Sequence, residues 1–135
     1  MTARANLVDS SGWLEYLADG PDAANFVDPL THPETLIVPT LAVYEVFRRV
    51  LQQRDETAAL QAAALMQQGK LVDLDAGLTL LAAKLSVELE LPMADAIMLA
   101  TARRFGALLW TQDADFEGIA DVRYFMCSRR HGAAS

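Results

Sequence analysis

The stretch that most constrains this chain runs from Leu91 to Phe116, Leu-Pro-Met-Ala-Asp-Ala-Ile-Met-Leu-Ala-Thr-Ala-Arg-Arg-Phe-Gly-Ala-Leu-Leu-Trp-Thr-Gln-Asp-Ala-Asp-Phe. Pro92 suits the first turn of a helix, where its missing N–H costs nothing. Arg103 and Arg104 fall in the last turn, and Gly106 can end the helix in a left-handed conformation. Ala107 to Trp110 is a short apolar run followed by turn residues, which reads as a buried strand. The result is a helix-to-strand unit with Asp95 near the helix start and Asp113 just past the strand's C-terminal end. The other acids matter according to whether they reach this pair.

The rest of the chain repeats the alternation. Ala5 to Val8 reads as a strand ending in Asp9, and Ser10 or Ser11 is expected to cap the helix that carries Trp13, Leu14 and Leu17 inward. Gly20-Pro21 breaks it. A short helix over Pro21 to Val27 is expected to stop before Pro29. Leu36 to Val38 is a second buried strand. Thr40 is the expected cap of a helix with Val43, Val46, Phe47 and Val50 as its apolar stripe and Glu45 in its second turn. Asp55 caps a helix stopped by Gly69, Leu71 to Leu74 is a third strand, and Asp75 caps a helix with Leu78, Leu81, Leu85 and Leu89 on one side. Asp121 to Phe125 reads as a last strand at an edge. Residues 1–126 are read as one domain. Residues 127–135, with Arg129, Arg130 and His131 among small residues, are read as a loose tail.

Apolar strands alternating with helices predict an α/β fold with a parallel sheet covered on both faces. Ligands of such sheets bind outside the carboxyl ends of the strands. Asp9 and Asp113 follow strands directly, while Glu45 and Asp95 sit early in helices. All four can therefore meet at that end.

Composition supports a folded domain. The chain has 135 residues, 53% of them hydrophobic, enough to bury a core. No run approaches the ~20 apolar residues needed to cross a bilayer, and the apolar pair Leu7-Val8 is cut at once by Asp9, so no signal-peptide core is read. Cys127 is the single cysteine. It allows no intramolecular disulfide, which fits a reducing compartment and a cytoplasmic location. A net charge of −7 argues against a broad basic nucleic-acid surface. It leaves open an enzyme whose acids surround bound cations, because the ion inverts the local charge.

Each acid has a bland reading: helix cap for Asp9, dipole partner for Asp95, solvated helix position for Glu45, turn residue for Asp113 and Asp115. For Asp9, Ser10 and Ser11 already supply a cap, and a buried acid without a task is costly. Asp95 projects with Leu99 and Ala102, which argues against a mere dipole role. Converging carboxylates repel, so four together need cations. Oxygen-only ligation selects Mg²⁺ or Mn²⁺. Neither His32 nor His131 has a second ligand at zinc spacing, and no Gly-rich phosphate loop or nucleophile elbow is present. Metal-activated water attacking a phosphodiester suits these residues best.

Val-Asp9-Ser10-Ser11, Glu45 in the helix after the second strand, Leu-Pro-Met-Ala-Asp95-Ala, and Thr111-Gln-Asp113-Ala-Asp115-Phe116 together resemble the PIN-domain ribonucleases, and the length is similar to that of the toxin in VapBC-type toxin–antitoxin pairs. The resemblance covers nearly the whole chain. It implies a three-layer α/β/α sandwich, Mg²⁺- or Mn²⁺-dependent RNA cleavage, a homodimer, and inhibition by a cognate antitoxin that inserts a peptide near the acids. By carry-over, Asp9, Glu45, Asp95 and Asp113 are the catalytic and metal-holding acids, with Ser10 and Thr111 orienting them. Arg48, Arg49, Arg103 and Arg104 are candidates for RNA phosphates.

Two other readings compete. A phosphatase using Asp9 as nucleophile would want a second aspartate two residues on, where the chain has Ser11. A non-catalytic RNA- or protein-binding module would not need all four acids.

Overall fold

The computed structural model describes residues 3–128. Its strands are β1 (Asn6–Val8), β2 (Leu36–Pro39), β3 (Lys70–Val72), β4 (Leu108–Thr111) and β5 (Val122–Tyr124). They form one parallel sheet in the order β3-β2-β1-β4-β5. The helices are α1 (Ser10–Leu17), α2 (Val27–Leu30), α3 (Thr40–Gln53), α4 (Glu56–Met66), α5 (Ala76–Leu89) and α6 (Met93–Arg104). Short 3₁₀ turns span Ala23–Phe26, Pro33–Thr35 and Ala114–Phe116.

The strand order reverses at β1. From β1 the chain steps through β2 to β3, then returns past β1 to place β4 on its other side. Right-handed crossovers put the outward connections on one face and the return on the opposite face. Accordingly α1, α3 and α4 pack together, and α5 pairs with α6. This is the parallel sheet covered on both faces that the alternation predicts, and the α/β/α sandwich that the resemblance implies. Register aligns Leu7 with Ile37 and Leu109, and Val8 with Trp110. Those side chains are buried, with Trp13, Phe26, Val38, Leu99 and Phe116, in a single core. Every residue of α6 from Ala96 to Ala102 is buried. Its alanines let the helix lie close against β1, β2 and β4, which fixes the direction in which Asp95 points.

Local differences from the sequence expectation have simple causes. Asp9, not Ser10 or Ser11, caps α1, because the chain turns directly from β1 into the helix and Ser10 is its first residue. Thr40 is likewise the first residue of α3, and Pro39 stands at the cap with no side-chain hydrogen bond. Pro29 lies inside α2 rather than beyond it; in a first turn its missing N–H is not needed. β3 starts at Lys70 and ends at Val72 and is largely exposed, as an edge strand can be. β4 runs one residue further than expected, to Thr111. β5 is the opposite edge, as predicted. Of residues 127–135, Ser128 is held by Asp22, whose carboxylate accepts its N–H and its hydroxyl. Arg129, Arg130 and His131 lie outside the described residues.

Candidate active site

The reversal of strand order opens a crevice between the carboxyl ends of β1 and β4, the place where such sheets bind ligands. Asp9 follows β1 there. Its N–H extends the ladder to the carbonyl of Trp110 at 3.2 Å. Asp9 is 4% exposed. Its Oδ1 accepts Ser11 Oγ–H at 2.7 Å and Gly12 N–H at 3.1 Å, and its Oδ2 accepts Thr111 Oγ1–H at 2.6 Å. Gly12 allows this arrangement: a Cβ there would stand 2.6 Å from Val8 Cγ1 and 2.8 Å from the Phe26 ring. Both neighbours are core residues and cannot yield. Burial pushes the Asp9 carboxyl up to about 6, against the opposing pull of these hydrogen bonds, with the nearby Asp113 charge adding to the rise.

Thr111 joins two acids. Its hydroxyl donates to Asp9 and accepts the N–H of Asp113 at 2.9 Å. Asp113 caps the 3₁₀ turn Ala114–Phe116 by accepting the N–H of Asp115 at 3.0 Å. Asp95 enters from the first turn of α6, half-buried. Oxygens of Asp95, Asp113 and Asp115 lie within 4.8 Å of one another. Desolvation raises Asp95 to about 8, reinforced by the charge of Asp113, a hydrogen bond shared with it, and the charges of Asp9 and Asp115. Glu45, in the second turn of α3, lies outside that three-acid group and instead accepts Ser10 Oγ–H at 2.6 Å, next in the chain to Asp9.

The expected acids thus sort into a buried anchor, Asp9, a close pair, Asp95 with Asp113, and Glu45 tied to the start of α1. Asp115, expected from sequence as a turn residue, belongs to the close group, carried there on the 3₁₀ turn that Asp113 caps. Ser11, with Ser10 one of two expected caps of α1, is a hydroxyl donor to Asp9, which is the cap. Arg103 and Arg104 lie at the far end of α6 from Asp95, and Arg104 is paired with Asp75 at 3.0 Å. Carboxylate oxygens alone line the group, so the donor set fits a hard divalent cation. Burial does most to raise Asp95 and the neighbouring acids add to it, and a bound cation would oppose both.

The PIN domain family model matches residues 7–122. The chain belongs to the PIN domain family. Among solved structures the PIN chain is similar to a toxin–antitoxin complex from Klebsiella pneumoniae, at 22% identity and a TM-score of 0.73 over 88% of this chain and 96% of that one. It is similar to VapC20 of Mycobacterium tuberculosis, described as a sarcin-ricin loop cleaving toxin, at 20% identity and a TM-score of 0.71 over 86% and 95%. It is also similar to DNA-bound VapBC from Salmonella typhimurium, at 12% identity and a TM-score of 0.73 over 91% and 98%. At these identities the likeness establishes a shared fold. No curated protein sequence matches the chain.

Proposed function

We propose that this PIN domain is a Mg²⁺- or Mn²⁺-dependent ribonuclease and the toxin of a toxin–antitoxin pair. The observation that carries the reading is the convergence of Asp95, Asp113 and Asp115 beside the buried Asp9, at the strand-order reversal. Asp9, Asp95 and Asp113 would hold the ion, with Glu45 completing the acidic wall through Ser10. When bound, the cation would lower the pKa of an attacking water and neutralise charge on a phosphodiester. Thr111 keeps Asp9 and Asp113 in register with each other, and Ser11 and Gly12 hold Asp9 against rotation.

The toxin reading draws on the likeness to the Klebsiella and Salmonella complexes, and gives the chain an antitoxin partner. A homodimer is proposed as well. Leu80 and Val87 on α5 and Met93 at the start of α6 are 73%, 82% and 74% exposed, an apolar face that a second copy would cover. Beside it lies an apolar cavity of about 290 Å³ lined by Leu74, Ala82, Met93 and Ile97. No helix among the described residues is long and apolar enough to cross a membrane.

The test is RNA cleavage by purified protein with Mg²⁺, with Mn²⁺ and with chelator, alongside Asp95→Asn prepared identically. Metal-dependent cleavage lost in the variant supports the proposal. RNA binding without cleavage at any metal concentration would favour the non-catalytic module.

A further inference from the structure

Glu15 is 2% exposed and lies outside the acidic group; a carboxyl group is buried at such a place only when its oxygens are hydrogen-bonded. It lies in the second turn of α1, four residues after Ser11 and so on the same helix face. Its Oε1 accepts Gln112 Nε2–H at 3.1 Å, and its Oε2 accepts the backbone N–H of Asp22 at 3.1 Å. Gln112 stands between Thr111 and Asp113. Its backbone N–H donates to Ser11 Oγ at 3.3 Å, and that hydroxyl donates to Asp9. Gln112 is therefore fastened to α1 twice, by its main chain through Ser11 and by its side chain through Glu15. Gln112 Oε1 is buried with no hydrogen-bond partner among the described residues. The bond from Nε2 to Glu15 is what orients this amide.

We propose that Glu15 is a positioning residue for the cleavage reaction, holding Gln112 against α1 so that the loop carrying Asp113 and Asp115 stays within reach of Asp9 and Asp95. The inference rests on the nuclease reading of those acids. Glu15 lies outside the acidic group and acts on it through Gln112. The charge partition is specific. Glu15 accepts on both oxygens, so an amide at 112 is required to donate.

A charge swap tests this. Gln112→Glu sets two carboxyl groups face to face and should free the loop. Cleavage should then fall by about 10²-fold in kcat with KM unchanged, the effect of a misplacement of about 1 Å. Amide hydrogen exchange over residues 112–115 should quicken in the metal-free protein, while global melting changes little. Adding Glu15→Gln to that variant reverses the pair: the amide at 15 can donate to the carboxylate at 112 and still accept from Asp22. Both kcat and exchange protection should recover. Gln112→Leu, which removes the amide without adding charge, should shift both readouts in the same direction by less, and serves if Gln112→Glu does not fold. Unchanged exchange at 112–115 in the folded single variants, or a double variant no better than Gln112→Glu, would overturn the proposal. If wild type cleaves no RNA, the nuclease reading falls by itself, and the exchange comparison still decides whether Glu15 positions the loop.

Discussion

Asp9 and Asp75 do the same local job at different places in the molecule. Each caps a helix by accepting the N–H three residues on, Gly12 for Asp9 and Leu78 for Asp75. Asp75 is exposed and pairs with Arg104 at the last turn of α6; its pKa is lowered chiefly by the Leu78 N–H, against desolvation, with Arg104 adding to the fall. Asp9 lies in the crevice near the first turn of α6, sealed from water and facing other acids, and is raised to about 6. The capping bond is common to both, so it does not mark function. Burial and like charge do. One end of the α5–α6 layer is built to keep an acid ionised at little cost. The other end buries carboxyl groups beside one another and raises Asp9 and Asp95.

The largest expected effect separates the two ends outright. Asp9→Asn and Asp95→Asn should each lower RNA cleavage by more than about 10²-fold, while Asp75→Asn leaves it unchanged. The assay is cleavage at saturating Mn²⁺ with folding checked by circular dichroism. Wild-type rates in either crevice variant would remove that acid from the site.

Thr111→Val should come next. It deletes the hydroxyl that serves both Asp9 and Asp113 while keeping the volume, and should reduce cleavage by about tenfold. It should also cost about 1–3 kcal/mol in stability, because the buried Asp9 oxygen and Asp113 N–H lose their partner. Urea unfolding beside cleavage kinetics measures both. Full activity would mean Asp9 needs no such support.

Metal should stabilise one end and ignore the other. At a free concentration 100 times its dissociation constant, Mn²⁺ should add about 2.7 kcal/mol to the unfolding free energy near neutral pH. The gain should shrink on acidification, as protons compete for the same oxygens. It should vanish in Asp95→Asn and persist in Asp75→Asn. An equal gain in all proteins would place the ion elsewhere.

A smaller effect concerns pH without metal. The folded pKa of Asp95, about 8, lies above its unfolded value near 3.8. Between those values the folded state binds more protons than the unfolded state, so stability rises as pH falls through the window. Asp75 runs the other way: its contribution is full above the unfolded value and is lost as pH falls through the lowered folded one. Asp95→Asn should therefore stabilise the metal-free protein above pH 8 by about 1–2 kcal/mol, after allowance for its half-exposure, and by little near pH 4. Thermal melts across pH measure this. A destabilised variant at high pH would show that Asp95 is not held against its own charge. The smallest effect is that of Asp75→Ala, a modest fall in melting temperature with cleavage intact.

The sequence by itself determined the alternation of strand and helix, and hence the parallel sheet. The reason is that apolar runs, caps and stops are local: Asp55 and Asp75 cap where they were read to cap, and Gly106 has a positive φ of 61° after α6. It also placed Asp9 and Asp113 past strand ends and Asp95 in a first turn, because those positions depend only on neighbours in the chain. Tertiary structure decided the rest. Asp115 joined the close group and Glu45 stood apart from it, since sequence spacing cannot measure distance between an α3 turn, a 3₁₀ turn and α6. Ser11 exchanged a capping role for a bond to Asp9, and Gln112 gained a partner in Glu15, because a hydroxyl or amide takes whichever donor or acceptor packing brings within about 3 Å. The order β3-β2-β1-β4-β5 is the deepest of these decisions. It sets β1 beside β4, brings residues about a hundred apart in the chain into one crevice, and turns an ordinary capping aspartate into a buried one that faces its own kind.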